Sequence, residues 1–290
     1  MAESVPAKAD EYGKLEGCPP GADGQEVFVS SLRMHEDELI VLRSPKEIER
    51  IREAARIVVL ALKELKKAVR PGVTTKELDD LAGEVFRQNG AVSGSLNYHG
   101  YPGNICVSLN EQVVHGIRGP RRLEEGDIVK LDVAASYKGY FADSTMTYPV
   151  GEVKPEVARL LKVTEQALWE GIEKARAGNR LSDISHAIQQ HVEKNGFSVV
   201  RAFVGHGVGR SMHEPPQVPH FGPPHQGPLL RPGMVLAIEP QVNMGTPEIE
   251  ILDDHWTAVT KDGKWSAHFE HTVAITQDGP DVLTRWDQWE

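Results

Sequence analysis

The sequence contains an internal repeat, and this repeat restricts the fold more than any other feature. Residues 72–90 and 178–196 have equal length, carry apolar residues at helical spacing and end in Asn-Gly, a common helix stop. Another helical segment precedes each of them, at 48–69 and at 157–175. The offset of 106 residues predicts two halves of similar structure, each built on a pair of helices.

Strand-like segments continue the repeat after each helix pair. The segment that ends in Asp132 aligns, at an offset of 107 residues, with the segment that ends in Glu239. Further on, DSTM from Asp143 resembles EHTV from Glu270, and the larger offset implies an insertion in the second half. A two-fold arrangement brings these four acids to one axis. Four carboxylates cannot share an apolar site unless metal ions bind or several carboxylates are protonated.

Residues 126–148 predict a β-hairpin whose turn is centred on 138–139. Counting back from the turn, Asp132 faces Thr145 and lies on the same face of the hairpin as Asp143. The two aspartates are then diagonal neighbours, roughly 7–8 Å apart at the backbone. Two buried anions at that separation require a cation between them. The alternative is a solvated hairpin that carries two unrelated acids.

The composition excludes several classes of protein. The 290 residues are 40% hydrophobic and 26% charged, as expected for a soluble globular protein. A net charge of −10 without a basic block argues against nucleic-acid binding. No apolar stretch approaches the length of a membrane span, and no secretory signal is present, so we expect a cytoplasmic protein without membrane association. Two cysteines, Cys18 and Cys106, exclude a disulfide framework.

Two regions are predicted along the chain. Residues 1–43 are an N-terminal extension, partly disordered because its first 25 residues are rich in Ala, Pro, Gly, Glu and Lys. A larger domain spans 44–290 and opens with a helix that has Ser44 at the N-cap, Pro45 at N1 and Glu47 at N3.

Histidines that could accompany the acids follow or precede glycines. His206 lies between two glycines after an apolar run, His213 lies seven residues later, and His115 is also followed by glycine. Glycines there allow the backbone and a metal ion to approach closely. We assign four other histidines to the surface or to ordinary packing: His220, His225, His255 and His268.

Together these motifs resemble the type I methionine aminopeptidases. The matching segments are HGI at 115–117, LDVAASYKGYFADSTMT at 131–147, GHGVGRSMHEPPQ at 205–217, AIEP at 237–240 and SAHFEHTVAIT at 266–276. The resemblance covers roughly residues 44–285. It implies the pita-bread fold, an α+β architecture in which a pseudo-two-fold pair of halves places antiparallel sheet inside and helices outside. It also implies metal-dependent removal of the initiator methionine from nascent proteins with a small second residue.

Carried over position by position, the resemblance implies a dinuclear centre with two divalent ions, of Co, Mn, Fe or Zn. The implied ligands are Asp132, Asp143, His206, Glu239 and Glu270. Glu239 would also shuttle a proton, and His115 and His213 would be the catalytic and substrate-contacting histidines. Such a site acidifies water and polarises a carbonyl.

The segment SLNYHGYPGNIC resembles the wall of the methionine pocket. Tyr98, Tyr101 and Cys106 would form this wall with Ser95 at its edge, and Trp256 would close it. A thiol and aromatic rings suit a thioether side chain. From the residues alone, ordinary core packing of these aromatic side chains is the alternative.

Three positions depart from the pattern of the family. Ala142 replaces a usual glycine, Lys130 a usual asparagine and Met212 a frequent phenylalanine. Because Lys130 shares a face with Asp132, we expect it to weaken metal affinity. None of the three removes a candidate ligand.

Two other functions are considered: an Xaa-Pro aminopeptidase-like enzyme of the same fold, and a non-catalytic pita-bread protein that binds partners. The first usually carries a large extra N-terminal domain, and the second typically loses ligands. For the favoured function we expect a monomer that acts on nascent polypeptide N-termini. Association of the extension with the ribosome is left open.

Overall fold

The computed structural model describes residues 39–286. Within this range the helices are α1 (Pro45–Ala68), α2 (Thr75–Gln88), α3 (Pro155–Lys174) and α4 (Leu181–Lys194). The starts and ends of α2 and α4 are each 106 residues apart, so the predicted repeat of helix pairs is confirmed. None of the helices in 39–286 is long and apolar enough to span a membrane.

Helix α1 begins where the sequence predicts. Ser44 caps it, with the Glu47 amide donating to Ser44 Oγ at 3.4 Å and the Ser44 amide donating to Glu47 Oε2 at 3.0 Å. Pro45 occupies the first turn, where its missing N–H costs nothing. Packing against the domain begins slightly earlier, because Ile40 and Arg43 are already buried. The division of the chain into an extension, residues 1–43, and a domain, residues 44–290, remains a prediction.

The strands are short except for one long hairpin, and every pairing between them is antiparallel. Their bounds are β1 Val92–Ser93, β2 Cys106–Leu109, β3 Gln112–Val114, β4 Ile128–Tyr137, β5 Tyr140–Pro149, β6 Ser198–Val199, β7 Gly205–Gly207, β8 Glu214–Val218, β9 Val235–Ile238, β10 Gln241–Asn243, β11 Ile249–Ile251, β12 Ala258–Thr260, β13 Ser266–His268, β14 His271–Ile275 and β15 Pro280–Val282.

Two larger sheets repeat one arrangement of strands. In the first half, β4 lies between β5 and β2, and β1 also pairs with β4. In the second half, β9 lies between β14 and β7 in the sheet β15-β14-β9-β7-β8. The order β5-β4-β2 therefore corresponds to β14-β9-β7. Two three-stranded sheets, β13-β10-β6 and β11-β12-β3, complete the structure.

Each half has its own hydrophobic core. Helices α1 and α2 share the first with the β2-β4-β5 sheet, through residues such as Leu62, Leu78 and Leu131. Helices α3 and α4 share the second with β9 and β14, through residues such as Leu160 and Leu236. The helices cover the outer faces of the sheets, and this leaves the inner faces to meet each other.

The β4–β5 hairpin has the register that the sequence predicts. Asp132 pairs with Thr145, and Ala134 pairs with Asp143. Lys138 and Gly139 have φ values of 49° and 79°. Two positive φ values in a two-residue turn are the geometry whose twist matches that of the flanking strands.

Candidate metal centre and substrate cavity

A cavity of about 350 Å³ lies where the two halves meet. All the site residues that the sequence predicts line it: Ser95, Tyr98, Tyr101, Cys106, His115, Asp132, Asp143, His206, His213, Glu239, Trp256 and Glu270. The solvated hairpin with unrelated acids is therefore wrong, because Asp132 and Asp143 line one shared cavity and Asp143 is buried.

Three of these residues form a compact set of potential metal ligands. Asp143, His206 and Glu270 are all buried, and one ligand atom from each lies within 4.8 Å of the others. His206 Nε2 is 3.3 Å from Asp143 Oδ2 and 3.5 Å from Glu239 Oε1. Mixed carboxylate and imidazole donors suit divalent transition metals.

The backbone fixes the tautomer of His206. Its Nδ1 lies 2.9 Å from the carbonyl oxygen of Gly207, which can only accept a hydrogen bond. The Nδ1 nitrogen therefore carries a hydrogen, and Nε2 is the atom that faces the acids. Metal-ligating histidines are commonly oriented in this way.

Two threonines hold the acids in a reciprocal arrangement across the two halves. Thr145 Oγ1 of the first half donates to Glu270 Oε2 of the second at 2.8 Å. Thr272 Oγ1 of the second half donates to Asp143 Oδ1 of the first at 2.9 Å. Because Thr145 and Thr272 occupy matching places in β5 and β14, the two bonds are related by the pseudo-two-fold axis.

The electrostatics show that the acids cannot all be ionised without a cation. Burial, followed by repulsion from other carboxylates, raises the pKa of Asp132 to about 7. Burial raises the pKa of Glu239 to about 8 and that of Glu270 well above its usual range. Protons neutralise these groups when no other cation does, and divalent ions neutralise them equally well. The donor set therefore fits a metal centre.

Asp143 behaves differently because His206 faces it. Burial acts to raise the pKa of Asp143, but the charge of His206, its hydrogen bond and that of Thr272 lower it below the usual value. Burial acts to lower the pKa of His206, but Asp143 and Glu239 raise it to about 9. The imidazolium is thus the cation that this arrangement of side chains provides by itself.

His115 and His213 both line the cavity. His115 follows β3 with a φ of 58°, and its ring packs edge-on against Phe203 at 5.4 Å. Burial lowers its pKa to about 4, so that it is neutral at pH 7. His213 Nδ1 lies 2.7 Å from Tyr98 Oη, and its ring centroid is 4.3 Å from that of His206.

Comparison with known proteins agrees with this geometry. The sequence matches metallopeptidase family M24 over residues 49–277. It is 53% identical to methionine aminopeptidase 1 of Bacillus subtilis over 247 residues, which are 85% of this chain and 100% of that protein. The chain belongs to metallopeptidase family M24, and within it to the methionine aminopeptidases.

Solved structures confirm the pita-bread fold. Methionine aminopeptidase from Thermotoga maritima superimposes with a TM-score of 0.84 at 44% identity, over 85% of this chain and 100% of that one. Prolidase from Pyrococcus furiosus superimposes with a TM-score of 0.69 at 22% identity, over 90% of this chain and 68% of that one. At 22% identity, the similarity to prolidase shows a shared fold and nothing about activity.

The methionine-aminopeptidase cavity has an aromatic wall. Trp256 packs edge-on against Tyr101 at 5.2 Å, and Cys106 pairs with Asp132 between β2 and β4. The hydroxyl of Tyr101 donates to the carbonyl of Gly116 at 2.7 Å. Sequence reasoning missed Phe203, which lines the same cavity. No helical or strand periodicity marks its loop.

Two histidines assigned to ordinary packing support Glu239. The amide of Glu239 donates to His220 Nε2 at 3.1 Å, and His268 Nε2 lies 3.7 Å from Glu239 Oε2. His268 also lines the cavity. A signal for it existed, since a residue two positions before Glu270 in an extended segment lies on the same face.

The three departures from the family pattern have different surroundings. Lys130 is 1% exposed, and its Nζ donates to the carbonyls of Asn110 at 2.8 Å and Ser266 at 2.7 Å. Ala142 lies in the first core, and Met212 lines the cavity. A weakening of metal affinity by Lys130 remains a prediction.

Proposed function

We propose that the protein removes the N-terminal methionine from nascent polypeptides whose second residue is small. The observation that carries the proposal is the convergence of five candidate ligands, two histidines and an aromatic wall on a single cavity. Relatives that share about half of its residues are methionine aminopeptidases.

The five candidate ligands would hold two divalent ions of Co, Mn, Fe or Zn. They are Asp132, Asp143, His206, Glu239 and Glu270. Their buried carboxylates with raised pKa values support this proposal, because cations would replace the protons that these groups otherwise need. Bound ions of this kind acidify a shared water and polarise the scissile carbonyl.

Side chains of the protein would handle the protons. The carboxylate of Glu239, which accepts from Gln241 Nε2 at 2.9 Å, takes the proton of the attacking water and returns it to the leaving amine. The neutral imidazole of His115 donates to the scissile amide and assists departure of its nitrogen.

Tyr98 and His213 would act together on the developing oxyanion. If Tyr98 Oη donates to His213 Nδ1, the hydrogen of that imidazole lies on Nε2 and is free to donate. A donor held in place before the reaction is worth about 10²–10³-fold in kcat.

Tyr98, Tyr101, Cys106 and Trp256 would bind the methionine side chain, with Phe203 added to the wall. Sulfur contacts with aromatic rings favour a thioether over a branched aliphatic side chain of the same size. We further propose that the protein is a cytoplasmic monomer. Association of its N-terminal extension with the ribosome is part of the same proposal.

Hydrolysis of matched peptides tests the proposal. The protein, with its metal content measured, is given Met-Ala-Ser, Met-Leu-Ser and Ala-Pro-Ser. We expect cleavage of the first, far slower cleavage of the second and none of the third. Preferred cleavage of Ala-Pro-Ser would indicate an Xaa-Pro peptidase, and the absence of all hydrolysis with metal bound would indicate a binding protein.

A further inference from the structure

The loop that carries His213 is closed by a single carboxylate. Glu214 Oε1 accepts from the backbone amides of Arg210 at 2.7 Å and Ser211 at 2.9 Å. Gly209 anchors the other end, because its carbonyl accepts from the Phe141 amide at 2.7 Å. His213 is the residue immediately before Glu214, so whatever holds Glu214 also holds His213.

The second oxygen of the same carboxylate is held from a distant part of the chain. Glu214 Oε2 accepts a hydrogen bond from Nη2 of Arg43, 171 residues away in sequence. Arg43 is only 7% exposed, and its amide donates to the Gly233 carbonyl at 2.7 Å. A Cβ atom at Gly209 would overlap the Arg43 guanidinium, so the loop packs directly on this side chain.

We propose that Arg43 is a positioning residue, which places His213 through the ion pair with Glu214. The inference rests on the proposed role of His213. The hydroxyl of Tyr98 holds the His213 ring from the cavity side, and the Arg43–Glu214 pair holds its backbone from the other. A displacement of about 1 Å of a catalytic group can cost about 10²-fold in rate.

The location of Arg43 adds a second consequence. It lies just before the N-cap of α1, at the last position of the predicted N-terminal extension. The point at which the extension joins the domain is therefore one ion pair and one peptide bond away from His213. Arg43 therefore positions His213 from the start of the domain and not from the wall of the cavity.

The test compares Arg43→Met with a matched variant, Arg52→Met. Arg52 lies on α1 and pairs with Asp281 at 2.6 Å, away from the cavity. We expect Arg43→Met to lower kcat on Met-Ala-Ser by about 10-fold or more, with KM and metal content nearly unchanged, and Arg43→Lys to restore part of the loss. Arg52→Met should lower the melting temperature without lowering kcat. Wild-type kcat in Arg43→Met overturns the inference.

A double-mutant cycle separates this inference from the proposed function. In a His213→Ala background, Arg43→Met should cause no further loss of kcat, because the group it positions is gone. An equal loss in both backgrounds overturns the positioning role. Wild-type kcat in His213→Ala alone overturns the proposed role of His213. Should Arg43→Met not fold, Glu214→Gln removes the ion pair with little change of shape, and its unaltered kcat would contradict the inference.

Discussion

At the scale of one residue, Asp143 shows how the fold keeps a charge in a buried place. The residue is 4% exposed, and its carboxylate is held by Thr272 Oγ1 and faced by His206. A buried carboxylate with such partners remains ionised, whereas the pKa values of its neighbours Asp132 and Glu239 are raised to about 7 and 8, so that both are partly protonated near neutral pH. Asp143 is thus the carboxylate that is already ionised and ready to bind a metal ion.

Replacement of Asp143 by alanine should lower kcat by orders of magnitude and reduce the bound metal. The fold should persist, because Asp143 lines the cavity and belongs to neither hydrophobic core. Metal analysis, circular dichroism and kcat on Met-Ala-Ser check this prediction. Asp80→Ala on the exposed face of α2 is the control and should keep both metal and activity. A folded Asp143→Ala protein with wild-type turnover would exclude the proposed centre.

Replacement of His115 should separate catalysis from metal binding. We expect His115→Ala to lose about 10²–10⁴-fold in kcat while keeping its metal, since a positioned proton donor is worth that much. Because the backbone at 115 has a φ of 58°, alanine is strained there, and His115→Asn is the better-tolerated second variant. A lower melting temperature with unchanged kcat in both variants would show that His115 only packs.

At the scale of the element, the β4–β5 hairpin connects local sequence to the site. Its turn lies four residues from Asp143 and fixes the register that places Asp132 and Asp143 on one face. A slip of one residue would turn every side chain of one strand to the opposite face. The turn therefore controls the site without touching it.

Gly139→Ala should lower the free energy of unfolding by about 1 kcal/mol, because Gly139 has a φ of 79° and alanine is disfavoured there. The kcat of the folded fraction should stay unchanged. Gly119→Ala is the matched control, since no atom lies within 4 Å of a Cβ there and its φ is not positive. Chemical denaturation of both variants makes the comparison, and equal stability of the two would contradict the argument.

Features specified by nearby residues could be predicted from the sequence, and features specified by distant ones could not. The N-cap at Ser44, the hairpin register and the equal helix pairs follow from local patterns and the repeat. The bonds from Arg43 to Glu214 and from Lys130 to Ser266 join residues more than 130 positions apart, and no local pattern specifies them. The four candidate acids could be predicted because the repeat puts two pairs of acids at matching places, whereas His206 was indicated by its flanking glycines and by the family resemblance.

At the scale of the whole molecule, the metal-free protein should become less stable as the pH rises from about 6.5 to about 8. The folded-state pKa of Glu239 is raised from 4.5 to about 8 and that of His206 from 6.5 to about 9, whereas Asp132, whose pKa is raised to about 7, has lost its contribution by pH 7. A raised folded-state pKa gives stability below the unfolded value that is lost as the pH passes through the folded value. Lys130, whose pKa burial lowers to about 7, adds stability as the pH rises above 7 and offsets the remaining loss from His206 between pH 8 and pH 9.

Thermal unfolding after chelation, between pH 6 and pH 9, checks the trend. Added Mn²⁺ or Co²⁺ should raise the melting temperature most at the upper end, where the carboxylates are deprotonated. A melting temperature of the chelated protein that rises steadily from pH 6.5 to pH 8 would contradict the assignment of shifted groups.

Two truncations should separate the contribution of residues 1–25 to activity from that of Arg43. Removal of residues 1–25 should leave kcat and KM on short peptides nearly unchanged, because their composition cannot build a core. Removal of residues 1–43 also deletes Arg43 and should lower kcat. A large loss of kcat in the shorter truncation with its metal intact would show that residues 1–25 contribute to the site.

The division of the candidate ligands between the two halves has a consequence for the lifetime of the protein. An ion held by Asp143 of one half and Glu270 of the other would act as a removable cross-link between the halves, beside the hydrogen bonds that Thr145 and Thr272 donate across them. Free ion at a hundred times its Kd adds about 2.7 kcal/mol to stability. Proteases act on the opened form, so we expect metal starvation to deplete the protein as well as to inactivate it. Metal supply would then set how many copies a cell keeps.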